Sequence, residues 1–382
     1  MLRVDNFNKG IAVKLSKRLS AIAPFQVMAI LEKARALQAA GHDVIHLEVG
    51  EPDFATPQAI VDAGRAALAA GHTYYTAAQG LAELRQAIAA FYLSRFGVTV
   101  APERIIVTPG ASGALQIALS LLVDEGDGVL MADPTYPCNR HFVSLLGGVP
   151  QTVPVGAATR YQLLADELDA NWQPNTVAAM VATPANPTGT VLSRDEITAL
   201  AERCRAHDGA LIVDEIYQGL TYGADSFSAL QLADDAFVIN SFSKYFQMTG
   251  WRLGWMVVPE PFVRDVEKLA QNLVLCPSTP AQYGALAAFE PETIALLEAR
   301  RAEFRRRDAA GHEQRVQPLT CRAADVGADS VADAEDAVVV SARHLGQFAA
   351  GEVIDRRVGL AEIQRGAAHL LIGGGQRLVH GG

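Results

Sequence analysis

Lys244, in Ser241-Phe242-Ser243-Lys244, follows the apolar run Phe237–Asn240, on a loop just past an expected strand end. A lysine kept neutral part of the time, by burial and by neighbouring cations, can form an imine with a carbonyl compound. Upstream, Asp214 closes Ala-Leu-Ile-Val-Asp, Tyr217 stands three residues on, and Asn186-Pro187 precedes both; Arg252 follows Lys244 by eight residues. A carboxylate such as Asp214 keeps a pyridine-type nitrogen protonated, so that the ring can draw electrons from a carbanion. Asn186 and Tyr217 suit a ring oxygen, while Ser241, Ser243 and Arg252 suit a phosphate. Together these side chains meet the requirements of pyridoxal phosphate (PLP). Each has a plainer reading alone: a solvated lysine, a helix N-cap, a core tyrosine, an Asn-Pro-Thr-Gly turn. The ordered set outweighs those readings.

These residues need elements to hold them. β-branched or apolar runs at Arg104–Thr108, Gly128–Ala132, Ala178–Ala182, Ala210–Asp214, Phe237–Asn240 and Leu253–Val258 predict strands, and Val44–Val49 a further short one. Apolar periodicity predicts helices near 25–41, 57–70, 81–96, 112–123, 136–147, 193–207 and 260–273. Continuous apolar strands alternating with helices predict an α/β fold with a mainly parallel sheet covered on both faces. In such sheets ligands gather at the carboxyl ends of the strands. Gly110-Ala111-Ser112-Gly113 follows a strand and opens a helix, offering free N–H groups and a positive dipole end to a phosphate.

In order and spacing, these motifs resemble the class I/II aminotransferases, aspartate aminotransferase-like enzymes of fold type I, over about residues 14–304. The resemblance implies a seven-stranded, mainly parallel sheet in a large PLP-binding domain (48–275). It also implies a smaller α+β domain from the N-terminal segment (1–47) and the C-terminal part (276–382). It implies catalytic roles for Lys244, Asp214 and Tyr217, and a cis bond before Pro187. Gly110, Ala111, Ser112, Ser241, Ser243 and Arg252 match the phosphate cup, and Tyr136 matches the aromatic stacked on the cofactor ring. Gly50 and Asn186 match substrate contacts, and Tyr75 matches a tyrosine that reaches a neighbouring subunit's phosphate, which implies a homodimer. The implied reaction moves an amino group between an L-amino acid and a 2-oxo acid through an imine on Lys244. In bacterial-type aspartate aminotransferases the Ser112 position is often a lysine facing the distal carboxylate. Serine there favours alanine, aromatic or other apolar donors. A C–S β-lyase of the same fold, or a catalytically impaired PLP-binding protein, are the alternatives.

Composition sets outer bounds. A net charge of -10 opposes non-specific nucleic-acid binding. Cys138, Cys204, Cys276 and Cys321 form no C-x-x-C pair, which argues against a zinc site or a disulfide framework and for a reducing cytoplasm. No stretch approaches the roughly 20 apolar residues of a membrane span, and the basic N-terminus lacks the apolar run of a secretory signal.

The segment 308–382 departs from the rest. It contains one aromatic, Phe348, and no lysine. The family's second arginine, which clamps the substrate α-carboxylate, has no counterpart in the expected context; Arg343 is a poor match and receives no role. The segment reads either as a diverged small domain or as sequence out of register with an ancestral reading frame from about residue 307.

Overall fold

The computed structural model describes residues 13–44, 46, 49–224 and 226–314, with side chains to 307. Seven strands form one sheet: β1 (Ile105–Thr108), β2 (Gly128–Asp133), β3 (Val149–Pro154), β4 (Thr176–Ala182), β5 (Ala210–Asp214), β6 (Phe237–Ser241) and β7 (Gly254–Val257). Their order is β1-β7-β6-β5-β4-β2-β3. Neighbours from β2 to β6 are parallel, and β7 runs antiparallel to both β1 and β6.

The central strands are apolar throughout because both faces are covered. In β5, Leu211 and Val213 join one core with Leu84 and Ile88, while Ile212 joins the other with Leu115 and Leu119. Val238 and Ile239 of β6 divide the same way, following the two-residue side-chain period of a strand. The first core takes helices α2 (Gln58–Ala69), α3 (Ala82–Phe96) and α7 (Arg194–Ala206); the second takes α4 (Gly110–Leu122) and α8 (Val263–Leu273). α7 begins at a capping box, with Ser193 Oγ accepting from Glu196 N at 3.2 Å and Glu196 Oε2 accepting from Ser193 N at 2.8 Å.

The six expected strands from Arg104 to Val258 occur within two residues of their expected ends. The α/β class and the seven-stranded sheet are as expected. β3 carries no clear signal because it is an edge strand: Pro150 and Pro154 interrupt its donors and only alternate residues are buried. Three helices also lacked a clear pattern: α6 (Ala165–Asn171), α9 (Thr279–Leu286) and α10 (Pro291–Gln314). The first expected helix is α1 (Gln26–Ala39), and α5 (Cys138–Leu145) is shorter than expected. Of the strand expected at Val44–Val49, residues 45, 47 and 48 lie outside the described residues, as do 315–382 with Phe348 and Arg343.

One edge of the sheet gathers the points where the chain leaves it. Asp133, Asp214 and Ser241 end β2, β5 and β6, while Gly254 opens antiparallel β7 opposite both Ser241 and Thr108. Of the predicted site residues, Asp214 and Ser241 lie at this edge and Gly110, Ala111 and Ser112 open α4 beside it, whereas Tyr75 does not.

Candidate active site

Asp214 is buried at the end of β5, and its Oδ1 accepts from the Ile216 amide at 3.0 Å. Burial pushes its carboxyl up to about 6, while that amide and Lys244 pull the other way. Tyr217, in the turn that follows, receives the Asn186 Nδ2 hydrogen bond at 3.3 Å on its hydroxyl. Burial, then the Asp214 charge, push that phenol up to about 12. The Asn186-Pro187 bond is cis, as the resemblance implied. Tyr136 lies between β2 and α5, edge-on to Phe25 at 5.9 Å. Its phenol is raised by burial, then by Cys138, with Tyr217 and Asp214 adding smaller contributions.

Lys244 projects into the same space. Its Nζ lies 5.5 Å from the centre of the Tyr217 ring and donates to the Gly50 carbonyl at 2.5 Å. Burial lowers its proton affinity; Glu51 and Asp214 act against this, and Arg252 adds to it. A lysine so placed reaches the neutral form more readily than one in water, as imine chemistry requires.

The group of residues expected to hold a phosphate is equally compact. Ser241 Oγ lies 3.0 Å from Ser243 Oγ, accepts from the Ser243 amide at 3.0 Å, and donates to the Leu253 carbonyl at 3.2 Å. Arg252 adopts a left-handed conformation (φ 54°) that turns its guanidinium back toward the start of α4. Gly110 takes the left-handed φ of 72° that favours glycine, and a Cβ there would come within 2.9 Å of Arg252 Nη2, the movable end of that side chain. A Cβ on Gly254 would meet Gly110 C at 2.7 Å and Ala111 N at 2.9 Å, so a bare backbone seats α4 against the sheet. Gly110, Ala111 and Ser112 therefore present the N-terminus of a 13-residue helix beside two hydroxyls and a guanidinium. Cations, hydroxyls and free amides on one side, with a carboxylate and a phenol on the other, fit PLP.

Tyr75 stands apart on an exposed turn next to Tyr74, 81% accessible in the single chain. Two carboxylates near the site were not foreseen. Glu51 accepts a hydrogen bond from Thr249 Oγ1, and Glu215 is fully buried behind Asp214. Glu51 sits in the same Gly-Glu-Pro-Asp motif as Gly50, so its proximity was legible; nothing in the sequence distinguishes Glu215. Among the described residues no His, Cys, Asp or Glu cluster could hold a metal ion, and no helix is long and apolar enough to cross a membrane.

The family model for aminotransferase class I and II matches residues 42–313. The chain belongs to that family. It is therefore a PLP-dependent transaminase. The valine–pyruvate aminotransferase of Mycobacterium tuberculosis is 42% identical over 287 residues, spanning 75% of this chain and 74% of that protein. A crystal structure of an aminotransferase from the same organism superposes with a TM-score of 0.75 at 39% identity, covering 79% of each chain. Thermus thermophilus aspartate aminotransferase with maleate gives 0.75 at 33% identity, covering 79% of this aminotransferase and 80% of that chain.

Proposed function

We propose that this aminotransferase takes its amino group from an L-amino acid with a small or apolar side chain and passes it to a 2-oxo acid, with Lys244 as the working nitrogen. The observation that carries the assignment of Lys244 is its position between the Tyr217 ring and the Gly50 carbonyl, with Asp214 close enough to influence its charge. The small-donor preference draws on Ser112, a neutral hydroxyl at the start of α4, and on a relative named for valine and pyruvate.

PLP, when bound, supplies the electron sink that acidifies the substrate's Cα–H bond. Asp214 would hold the ring nitrogen protonated; Asn186 and Tyr217 would hold the ring oxygen. Ser241, Ser243, Arg252 and the amides of Gly110, Ala111 and Ser112 would bind the phosphate, and Tyr136 would cover the ring. Lys244 removes the α-proton as a general base and returns it as a general acid. Gly50 and Asn186 would orient the substrate carboxylate.

A homodimer, with Tyr75 completing the partner's phosphate site, is proposed from the resemblance and from the exposure of Tyr74 and Tyr75. A cytoplasmic setting is proposed from the free cysteines Cys138, Cys204 and Cys276. The division into 1–47, 48–275 and 276–382 is also a proposal. Ala281, Ala285 and Leu297 pack in the sheet's first core, which favours placing the second boundary within α10.

The test is spectroscopic. Single amino acids are added to PLP-loaded full-length protein, and the cofactor band is followed. Bleaching by valine or alanine, reversed by pyruvate, is the expected result. Bleaching by aspartate alone would overturn the donor class. Release of pyruvate and ammonia without any 2-oxo acid would favour the β-lyase.

A further inference from the structure

The Gly50–Thr56 segment is tied to the Lys244 loop at three points. Lys244 Nζ donates to the Gly50 carbonyl, Thr249 Oγ1 donates to Glu51 Oε1, and Thr56 Oγ1 donates to the Gln247 carbonyl at 2.7 Å. Thr249 is anchored in turn, because its carbonyl accepts from Arg252 Nη1 at 3.1 Å. Glu51 is therefore held through Thr249, one residue along from the Gly50 carbonyl that Lys244 contacts. Asp53, two residues on, points to α10, where Arg307 Nη1 meets its Oδ2 at 2.6 Å.

We propose that Glu51, held by Thr249, is a positioning residue for Lys244, stabilising the protonated lysine from the Gly50 side during proton transfer. The inference rests on the reading of Lys244 as the working nitrogen. Besides the Gly50 carbonyl, four side chains act on Lys244: Asp214 at the end of β5, the Tyr217 ring from the following turn, Arg252 beyond the Thr249–Trp251 turn, and Glu51. Once Asp214 is committed to a ring nitrogen, Glu51 is the carboxylate left among these four to balance the lysine's charge. A base that must gain a proton and then give it back benefits from an anion that does not compete for the substrate's own groups. Glu51 is exposed, so solvent screening keeps its influence modest.

The test titrates Lys244 directly, in the cofactor-free full-length chain, by competitive acetylation across pH with mass spectrometry of the Lys244 peptide. E51Q should lower the lysine's apparent pKa by about half a unit to one unit, making its labelling near neutral pH roughly 3- to 10-fold faster. E51D should restore part of the shift. T249V, which keeps the carboxylate but removes its anchor, should shift it partway and carries the test if E51Q does not fold. D53N, on the same loop but facing Arg307, should leave Lys244 unmoved. An unchanged titration in both E51Q and T249V overturns the proposal, as does a D53N shift as large as that of E51Q. Borohydride trapping of PLP, run in parallel, separates the two levels. If the wild type traps none on Lys244, the reading of the lysine fails. If wild type and E51Q both trap it while the titration stays put, only the role of Glu51 fails.

Discussion

Asp214 and Glu215 are adjacent buried carboxyls at the end of β5, and each is answered by different partners. Asp214 accepts the Ile216 amide at 3.0 Å, and the Lys244 charge pulls its carboxyl down against burial. Glu215 accepts from the Ala229 amide at 2.6 Å and from Ser228 Oγ at 3.0 and 3.1 Å, with no exposure to solvent. Burial pushes Glu215 up to about 8, outweighing its hydrogen bonds, and the Asp214 charge adds to the rise.

That pair makes stability pH-dependent. A carboxyl raised above its unfolded value binds more protons in the folded state, so stability declines as pH rises between the two values. For Glu215 the window runs from 4.5 to about 8, and for Asp214 from 3.8 to about 6. Thermal unfolding of the cofactor-free wild type should therefore show a melting temperature that falls from pH 5 to pH 8. E215Q keeps an acceptor for Ala229 but cannot ionise, and should flatten the upper half of that fall. A wild-type melting temperature that is level or rising over this window would contradict it.

Gly254 lets the cup sit against the sheet. G254A would force its Cβ on Gly110 C, Ala111 N and the Asn240 carbonyl, the last at 2.9 Å, and all three are backbone atoms with little room to move. We expect a loss of about 1–3 kcal/mol in urea unfolding and PLP affinity weaker by about tenfold in equilibrium dialysis. Wild-type affinity in G254A would show that the close approach is unnecessary.

Arg252 should be worth more to the phosphate than a point charge. R252A removes charge-assisted hydrogen bonds of about 1.5–3 kcal/mol, an expected 10- to 150-fold loss of PLP affinity. R252K keeps the charge without the planar fork and should recover only part of it. Fluorescence titration of the cofactor measures both.

Arg300 ties the Gly50–Thr56 segment to the lysine loop from α10. Its Nη1 donates to the Ala55 carbonyl at 2.8 Å and to Gln247 Oε1, and its guanidinium lies 5.1 Å from the Phe54 ring centre. R300A should raise the KM for the amino donor by about tenfold, one lost ordering contact, while PLP affinity stays near wild type. Steady-state kinetics with a cofactor titration separates the two; an equal loss in both would place Arg300 among the determinants of the cup.

That the candidate cofactor residues gather in one place was legible because they sit at the ends of elements, where short motifs mark position: Asp214 closes β5, Ser241 closes β6, and Gly110 opens α4. The connections that hold the Gly50–Thr56 segment were not. Gly50 and Lys244 are 194 residues apart, and Glu51 and Thr249 are 198 apart, so their meeting depends on tertiary packing that local periodicity does not encode. Glu215 was hidden for a related reason. Its neighbours Ser228 and Ala229 arrive at the start of a short 3-10 helix (Ala229–Gln231), and a lone glutamate after a strand reads as solvent-facing. The prolines of β3 concealed a strand that the parallel pairing with β2 nevertheless forms.

The central claim is that Lys244 is the nitrogen that joins PLP, and peptide mapping after borohydride reduction tests it most directly. The wild-type chain incubated with PLP and reduced should carry one stable adduct, on the peptide containing Lys244, and K244A should carry none. A stable adduct of equal yield in K244A, or one mapping to another lysine in the wild type, would contradict the claim.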